Sequence, residues 1–140
     1  MTAQNKFFFK PLPGLLLIFL LSFFVGCDER ELDLSEMEKI VKEVNKKCPA
    51  LIDSETQLDG IELLENNIIR YNYTLVHVFA NNVDTHDFNL NMYPGILSFI
   101  KVSPEMQKMR DNKMFVHYHY RDRDHKTVYT FKISPADYLK

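Results

Sequence analysis

The sequence feature that most constrains the fold is an alternation of two kinds of residue near the end of the chain. One set of alternating positions between residues 114 and 121 is apolar: Met114, Val116, Tyr118 and Tyr120. The positions between them hold Phe115, His117, His119 and Arg121. Because successive side chains of a strand point to opposite faces, this pattern predicts a strand with one buried and one wetter face. The alternation resumes over residues 127–134 after a polar turn, which predicts an antiparallel hairpin.

A second hairpin is predicted upstream, over residues 56–65 and 68–79. Its second strand alternates apolar residues with more polar ones, and the apolar set is Ile69, Tyr71, Tyr73 and Leu75. Asn66 and Asn67 stand between the two strands, and asparagine tolerates the positive φ of a two-residue hairpin turn. Residues 81–91 are polar and break the pattern, so we interpret them as a loop or as an irregular start of a helix.

Helices are predicted before, between and after the two hairpins. Apolar residues recur at helical spacing from residue 34 to residue 48, with Ser35 as the N-cap and Pro49 as the stop. This pattern predicts a helix over residues 35–47. Ser103 followed by Pro104 is a typical helix start, and we expect a helix, continuous or broken, over residues 94–112. A serine and a proline at residues 134 and 135 predict a closing turn of helix.

These elements predict one α+β domain over residues 35–140, in the order α-β-β-α-β-β. We expect an antiparallel sheet of about four strands with the helices on one face, because that arrangement buries the apolar sides of both. The other face of the sheet would stay in water. Cys48 lies on the buried stripe of the first helix, so we interpret it as a core thiol rather than a reactive one.

The first 27 residues have a different character. Lys6 and Lys10 precede an apolar run over residues 11–25, and the run ends in Phe24-Val25-Gly26-Cys27. A basic start, a short apolar stretch and small or apolar residues before a cleavage site are typical of a secretory signal. The run is too short and too interrupted to favour a membrane span, which needs about 20 apolar residues.

The ending Phe24-Val25-Gly26-Cys27 resembles the lipobox of bacterial lipoproteins, although that family prefers leucine where Phe24 stands. The resemblance implies that residues 1–26 are a signal peptide and that Cys27 carries the lipid and begins the mature chain. Residues 27–34 would be the lipidated cysteine and a short tether. The alternatives are an uncleaved signal anchor, or an ordinary signal peptide with Cys27 as a free thiol. Under each interpretation the domain lies outside the cytoplasm.

The lipoprotein interpretation places the chain in the bacterial cell envelope. Asp28 and Glu29 follow Cys27, and an acidic pair there resembles the signal that retains enterobacterial lipoproteins in the inner membrane, facing the periplasm. Other bacteria interpret these positions differently, so the outer membrane is the alternative. If Cys27 is acylated, Cys48 is the only thiol left, and no internal disulfide forms.

The net charge argues against one class of partner. Without residues 1–26, Lys plus Arg falls from 17 to 15 against 19 Asp plus Glu, so the formal net charge is −4. That balance opposes an electrostatic grip on nucleic acid or on anionic lipid headgroups.

His117 and His119 are the sharpest candidates for site chemistry. Two histidines at i and i+2 share one face of a strand and can reach the same metal ion. A third ligand could come from the adjoining turn or from elsewhere in the chain, but spacing alone places none of the candidates, which are Asp122, Asp124, His125, His77 and His86. The alternative is an exposed sheet face that happens to carry histidines. The sequence holds no His-Glu-x-x-His, paired-cysteine or EF-hand motif and no Gly-x-Ser-x-Gly elbow, so we predict no catalytic residue and no cofactor.

The preferred hypothesis is a small envelope lipoprotein that acts as a non-enzymatic protein- or peptide-binding module at the membrane surface. Its partner face would be formed by Phe115, His117, His119 and Arg121, because an exposed face with aromatic residues suits docking. The alternative hypothesis is a periplasmic metal-binding protein that uses His117 and His119.

Overall fold

The computed structural model describes residues 34–140. The described part forms an α+β domain in which a five-stranded sheet is combined with four helices. The strands are β1 (Ala50–Leu51), β2 (Thr56–Leu64), β3 (Ile68–Leu75), β4 (Phe115–Asp122) and β5 (Thr127–Ile133). The helices are α1 (Leu34–Asn45), α2 (Thr85–Val102), α3 (Gln107–Asp111) and α4 (Pro135–Tyr138), with 3-10 turns at Ala80–Asn82 and Pro104–Met106.

The strands lie side by side in chain order, and the sheet is mixed. β1, β2 and β3 pair antiparallel, and so do β4 and β5. β3 and β4, however, run parallel, with Ile68 opposite Phe115 and Leu75 opposite Asp122. The prediction of an all-antiparallel sheet of four strands was therefore wrong. The reason is the long connection through α2, since a crossover that carries a helix returns the chain to the same end of the sheet and makes the next strand parallel.

Both predicted hairpins are present, with strand ends that differ by a few residues from the expected ones. The turn of the first hairpin uses Asn66 and Asn67, whose φ values are 60° and 59°. The register pairs Leu64 with Ile68, so three residues, 65–67, form the turn rather than the predicted two. Asparagine tolerates the positive φ that this turn needs at both positions. β3 ends at Leu75 rather than at residue 79, because the chain then turns away towards the 3-10 turn at Ala80–Asn82.

The predicted second helix was placed too late in the chain. α2 begins at Thr85, where the side chain of Asp84 accepts hydrogen bonds from the main-chain nitrogens of His86 at 2.8 Å and Asp87 at 3.2 Å. Pro94 lies inside this helix and does not start it. The signal at Ser103 and Pro104 is real, but it opens a separate 3-10 turn that leads into α3. The helical segment that we expected, continuous or broken, is therefore broken at Ser103.

The core lies between one face of the sheet and the helices. Its largest fully buried side chains come from every layer and include Met37 of α1, Ile69 of β3, Ile100 of α2, Met109 of α3 and Phe131 of β5. Cys48 packs against this core but is only half-buried, and burial raises the pKa of its thiol. Between residues 34 and 140, no helix combines the length and the apolar character needed to cross a membrane.

Candidate functional site

The face of the sheet opposite the core is polar, and it holds the predicted partner residues. Phe115, His117, His119 and Arg121 alternate along β4 with buried residues. Phe115 is 42% exposed, and the other three are half-buried. The strand register extends this surface sideways in rows. We call it the polar face, and its further members are Asp59, Glu62, Arg70, Asn72, Thr74, Thr130 and Lys132.

Arg121 is engaged within the polar face. Its Nη2 donates to Asp59 Oδ2 at 3.0 Å, and the same oxygen accepts from Thr74 Oγ1 at 2.7 Å. Gln57 Nε2 donates to the other carboxylate oxygen at 2.8 Å. Burial alone would raise the pKa of Asp59, but these hydrogen bonds outweigh burial and hold the pKa below its usual range. Arg121 therefore belongs to a structural network, and sequence spacing gave no sign of its distant partner.

A second polar network lies next to the first on β2 and β3. Arg70 Nη2 donates to Glu62 Oε2 at 2.7 Å, and Asn72 Nδ2 donates to Glu62 Oε1 at 2.8 Å. The two networks border a polar hollow of about 430 Å³, which also contacts His119 and Asn45. Because the carboxylates already have partners, the hollow offers few free groups to a ligand.

The two histidines share the polar face, but their surroundings do not favour a cation. His119 Nδ1 lies 2.8 Å from Thr130 Oγ1 in a hydrogen bond. Burial, then the charges of Arg70 and Arg121, lower the pKa of His119. Burial, then Lys132 and Arg70, lower the pKa of His117. Among the described residues, no group of three His, Cys, Asp or Glu side chains is placed to hold a metal ion.

A stack of four tyrosine rings covers the centre of the opposite, helix-covered face. The rings follow the order Tyr71, Tyr118, Tyr73 and Tyr120, with centroids 5.1–6.0 Å apart and planes within 16°. The parallel register of β3 and β4 places Tyr71 opposite Tyr118 and Tyr73 opposite Tyr120. Burial raises the pKa of Tyr71 and of Tyr120 to about 12, so both stay neutral in ordinary buffers. The alternation in the sequence predicted that these tyrosines face inwards but not that they stack.

An apolar groove opens above this tyrosine stack. We call it the inner groove, and it lies between α2 and the loop that follows β1. It has a volume of about 370 Å³ and is lined chiefly by Ile52, Tyr73, Met92, Ile96, Phe99 and Tyr118. Ile52 is 59% exposed and Phe99 is 43% exposed. No sequence signal marked this groove, because its lining comes from four segments, the loop after β1, β3, α2 and β4, that only the tertiary fold brings together.

A second groove runs along the other side of α2. We call it the outer groove, and it separates α2 from β5. It has a volume of about 440 Å³, with Leu90, Tyr93 and Pro94 on the helix side and residues 129–132 on the strand side. Leu90 is 58% exposed. α2 is thus flanked by open apolar surface on both sides.

The predicted lipidation site, Cys27, lies outside the described residues, as do the predicted signal peptide and most of the tether. The anchor therefore stays a prediction from the sequence.

Comparisons with known proteins identify the fold more clearly than a role. The sequence profile of the domain of unknown function DUF8479 matches residues 34–130. No curated protein matches the sequence. Three solved structures share the fold at low sequence identity.

The first of these structures is a protein from Pseudomonas aeruginosa described as secreted, with 16% identity and a TM-score of 0.61, and the match covers 80% of this chain and 98% of that one. The second is EpsS, a type II secretion system pilotin from Vibrio vulnificus, with 11% identity, a TM-score of 0.58, and coverage of 78% and 93%. The third is AspS, a type II secretion system pilotin from Vibrio cholerae, with 9% identity, a TM-score of 0.56, and coverage of 77% and 93%. Each match covers nearly the whole of the other chain.

Proposed function

Because this chain belongs to the DUF8479 family of domains of unknown function, we propose its role from the site: it is a lipid-anchored, non-enzymatic protein-binding module of the bacterial cell envelope. The observation that carries this proposal is the inner groove, with its tyrosine floor and its exposed apolar rim. Protein-binding hot spots are enriched in aromatic side chains that sit in pockets from which a partner excludes water. A groove of this kind suits an apolar part of a protein partner.

The fold supports a more specific setting for that partner. Two of the structures that share it are pilotins of type II secretion systems. We therefore place the partner in a protein-secretion assembly of the envelope. The low identities carry no residue-level correspondence, so the binding surface is argued from this chain alone.

The polar face is the alternative binding surface, with Phe115, His117, His119 and Arg121 as the residues that would meet the partner. The inner groove is the better candidate because its exposed side chains are chiefly apolar, with Ile52 and Phe99 at its rim, and such side chains have no hydrogen bond to give up. On the polar face, by contrast, Arg121 and His119 already hydrogen-bond to neighbours. Docking there would have to replace those bonds, and a buried polar group that loses its partner costs about 1–3 kcal/mol.

The anchor completes the proposal. A lipid on Cys27 would hold the domain at the membrane through residues 28–33, which span about 20 Å at full extension. Asp28 and Glu29 favour the inner membrane, facing the periplasm, over the outer membrane. The domain would then meet its partner at the membrane surface.

Co-purification from solubilised membranes tests the binding surface with two matched double variants. In the groove variant, Ile52→Glu is combined with Phe99→Glu; in the polar-face variant, Phe115→Glu is combined with His117→Glu. Ile52, Phe99 and Phe115 are exposed and His117 is half-buried outside the core, so both variants should fold, which circular dichroism would check. We expect the groove variant alone to lose the partner. Loss in the polar-face variant alone would assign binding to the polar face, and retention in both would refute the proposed function.

Intact-mass analysis of the membrane fraction tests the anchor. We expect a chain that begins at Cys27 and carries a diacyl or triacyl modification, and we expect Cys27→Ala to abolish both. A chain that begins elsewhere and carries no lipid would remove the membrane from the proposal. That result would not bear on whether the inner groove binds a protein partner.

A further inference from the structure

Among the strands of residues 34–140, β5 is the last in the sheet, and none of them lies beside its outer edge. The opposite edge is formed by β1, which has only two residues, whereas β5 has seven. Apart from its pairing with β4, the main chain of residues 127–133 makes no hydrogen bond to any other part of the described chain. An edge strand of this length presents a row of free N–H and C=O groups, which is a template for another strand.

The outer groove lies directly beside this edge. Four successive residues of β5, 129–132, line it on one side, and the exposed Leu90 lies on the other. Tyr129 and Phe131 point to the helix-covered face, as their pairing with Tyr120 and Tyr118 requires. A strand added at β5 would therefore point every second side chain towards the outer groove, where apolar residues are favoured.

The other side chains of an added strand would face the polar side. There the strand register places four residues side by side across the sheet, an acidic one followed by three basic ones: Glu62, Arg70, His117 and Lys132. Glu62 and Arg70 are paired, but the row ends at the edge in Lys132, which is exposed and has no ion pair with a described residue. An acidic residue on the next strand would continue the row, because opposite charges directly across two strands attract.

From these three observations, we infer that β5 accepts an extended segment of a partner protein as a sixth strand, with apolar residues facing the outer groove and an acidic residue facing Lys132. This inference goes beyond the proposed function, because strand addition needs neither the inner groove nor the lipid.

Fluorescence anisotropy with labelled nine-residue peptides tests the strand geometry on the full chain in detergent. The probes alternate valine with threonine and carry one glutamate among the threonines, at each possible position in turn. We expect saturable binding. N-methylation of the amides along one edge of the best peptide should lower its affinity by about tenfold or more, because those amides would donate to β5. N-methylation along the other edge should change the affinity by less than about twofold.

This pair of peptides separates a strand from a helix without altering the protein. A bound helix needs the amides that lie along both edges of the extended form, so loss with both methylated peptides would overturn the inference. Absence of binding by every peptide at about 1 mM would also overturn it.

A charge exchange tests the role of Lys132. Lys132→Glu should weaken the glutamate peptide about threefold or more and strengthen its lysine counterpart by a similar factor. The control is Lys39→Glu on the exposed side of α1, which makes the same change of charge away from β5 and should alter neither affinity. Equal effects of the two variants on peptide affinity would show that only the net charge of the protein matters, and they would overturn the assignment to Lys132.

A second copy of this chain is the competing occupant of the edge. Sedimentation of the full chain in detergent should show a monomer that binds peptide. A dimer that the peptide fails to dissociate would overturn the inference in favour of pairing between two β5 strands.

Discussion

Single residues in the core differ in whether their buried polar atoms have partners. The hydroxyl of Tyr138 is buried and donates to the main-chain oxygen of Met114 at 2.7 Å. The hydroxyl of Tyr118 is also buried, but no group in the described part of the chain bonds to it. A buried hydroxyl without a partner lowers the stability of the folded state, because it leaves water and gains nothing in return.

Replacing these two hydroxyls should therefore have opposite effects. We expect Tyr118→Phe to raise the free energy of unfolding by about 1 kcal/mol, since it removes an unsatisfied group and keeps the stacked ring. Tyr138→Phe should lower it by about 1 kcal/mol, because it leaves the oxygen of Met114 without this donor. Urea denaturation of both variants measures the difference. A loss of stability in Tyr118→Phe would contradict the contact pattern described for that hydroxyl.

Asp122 controls how stability depends on acid. The residue is 1% exposed, and its carboxylate accepts hydrogen bonds from the main-chain nitrogens of Ala80 at 2.8 Å, Lys126 at 2.8 Å and Asp124 at 2.9 Å. The bond from Ala80 is the largest cause that lowers the pKa of Asp122 from its ordinary value of 3.8. A carboxyl whose folded pKa is lowered adds stability above its unfolded pKa and loses it as the pH falls through the folded one.

We therefore expect Asp122→Asn to lower the melting temperature at pH 7. Below pH 3.8 the melting temperature of the parent protein should fall further as Asp122 is protonated, and the variant should show less of this fall. The asparagine amide nitrogen cannot accept a hydrogen bond, so at least one main-chain donor is left unpaired. Asp124→Asn is the control from the same turn, because the structure gives no hydrogen bond to its carboxylate. Melting curves from pH 7 down to pH 2 would distinguish the two variants, and equal curves would contradict this role of Asp122.

Among whole elements, α1 depends on one polar side chain as well as on its apolar stripe. Asn45 at the end of α1 accepts from the main-chain nitrogen of Ile61 at 2.8 Å and donates to the oxygen of the same residue at 2.9 Å. Gly60 leaves room for this contact, since a Cβ there would lie 3.0 Å from Asn45 Oδ1. The helix is thus joined to β2 where the register of that strand shifts.

Asn45→Ala should lower the free energy of unfolding by about 1–3 kcal/mol, because it leaves both main-chain groups of Ile61 without these partners. Amide hydrogen exchange should become faster in α1 and β2 than in β4 and β5. The matched control is Asn91→Ala, whose side chain only donates to the oxygen of Asp87 on the exposed side of its own helix; its effect should stay within about 0.5 kcal/mol. Equal exchange rates throughout would show that Asn45 is dispensable for holding α1.

The elements differ in how well the sequence predicted them, and the cause is whether the signal is local. The hairpin turn at Asn66 and Asn67 was predictable, because the two residues that need positive φ are the ones that tolerate it. The start of α2 was missed because its cap, Asp84, stands in a polar stretch without apolar periodicity. The predicted segment began at residue 94, whereas Pro94 lies inside α2, although proline is more typical of a first turn.

At the scale of the whole molecule, the pairing of β3 with β4 organises both the sheet and the candidate site. This parallel pair lies at the centre of the sheet, and it brings the four tyrosines into one stack. The sequence of either strand alone does not show that the two run parallel, because the alternation of apolar and polar residues is the same beside a parallel or an antiparallel neighbour. The polar face could be predicted from that alternation, whereas both grooves depend on where α2 crosses the sheet.

The central position of this pair predicts an order of protection across the sheet. We expect the amides of β3 and β4 to exchange most slowly with solvent, and those of β1 and β5 fastest among the strands, because edge strands open without disturbing the rest. Amide exchange followed by NMR on the full chain in detergent measures this order. Protection confined to β2 and β3, with β4 as fast as β5, would contradict a domain that opens from its edges.

The parallel pair also has a consequence for the order in which the sheet can form as the chain is synthesised. Synthesis completes β3 at Leu75, but its partner begins only at Phe115, so roughly 40 residues must follow, which takes about 2–8 s at typical rates of elongation. During that interval one edge of β3, which is rich in tyrosine and isoleucine, has no strand to pair with. Until β4 pairs with it, that side of β3 is a template for other chains, so the risk of aggregation is greatest before the second half of the domain is in place.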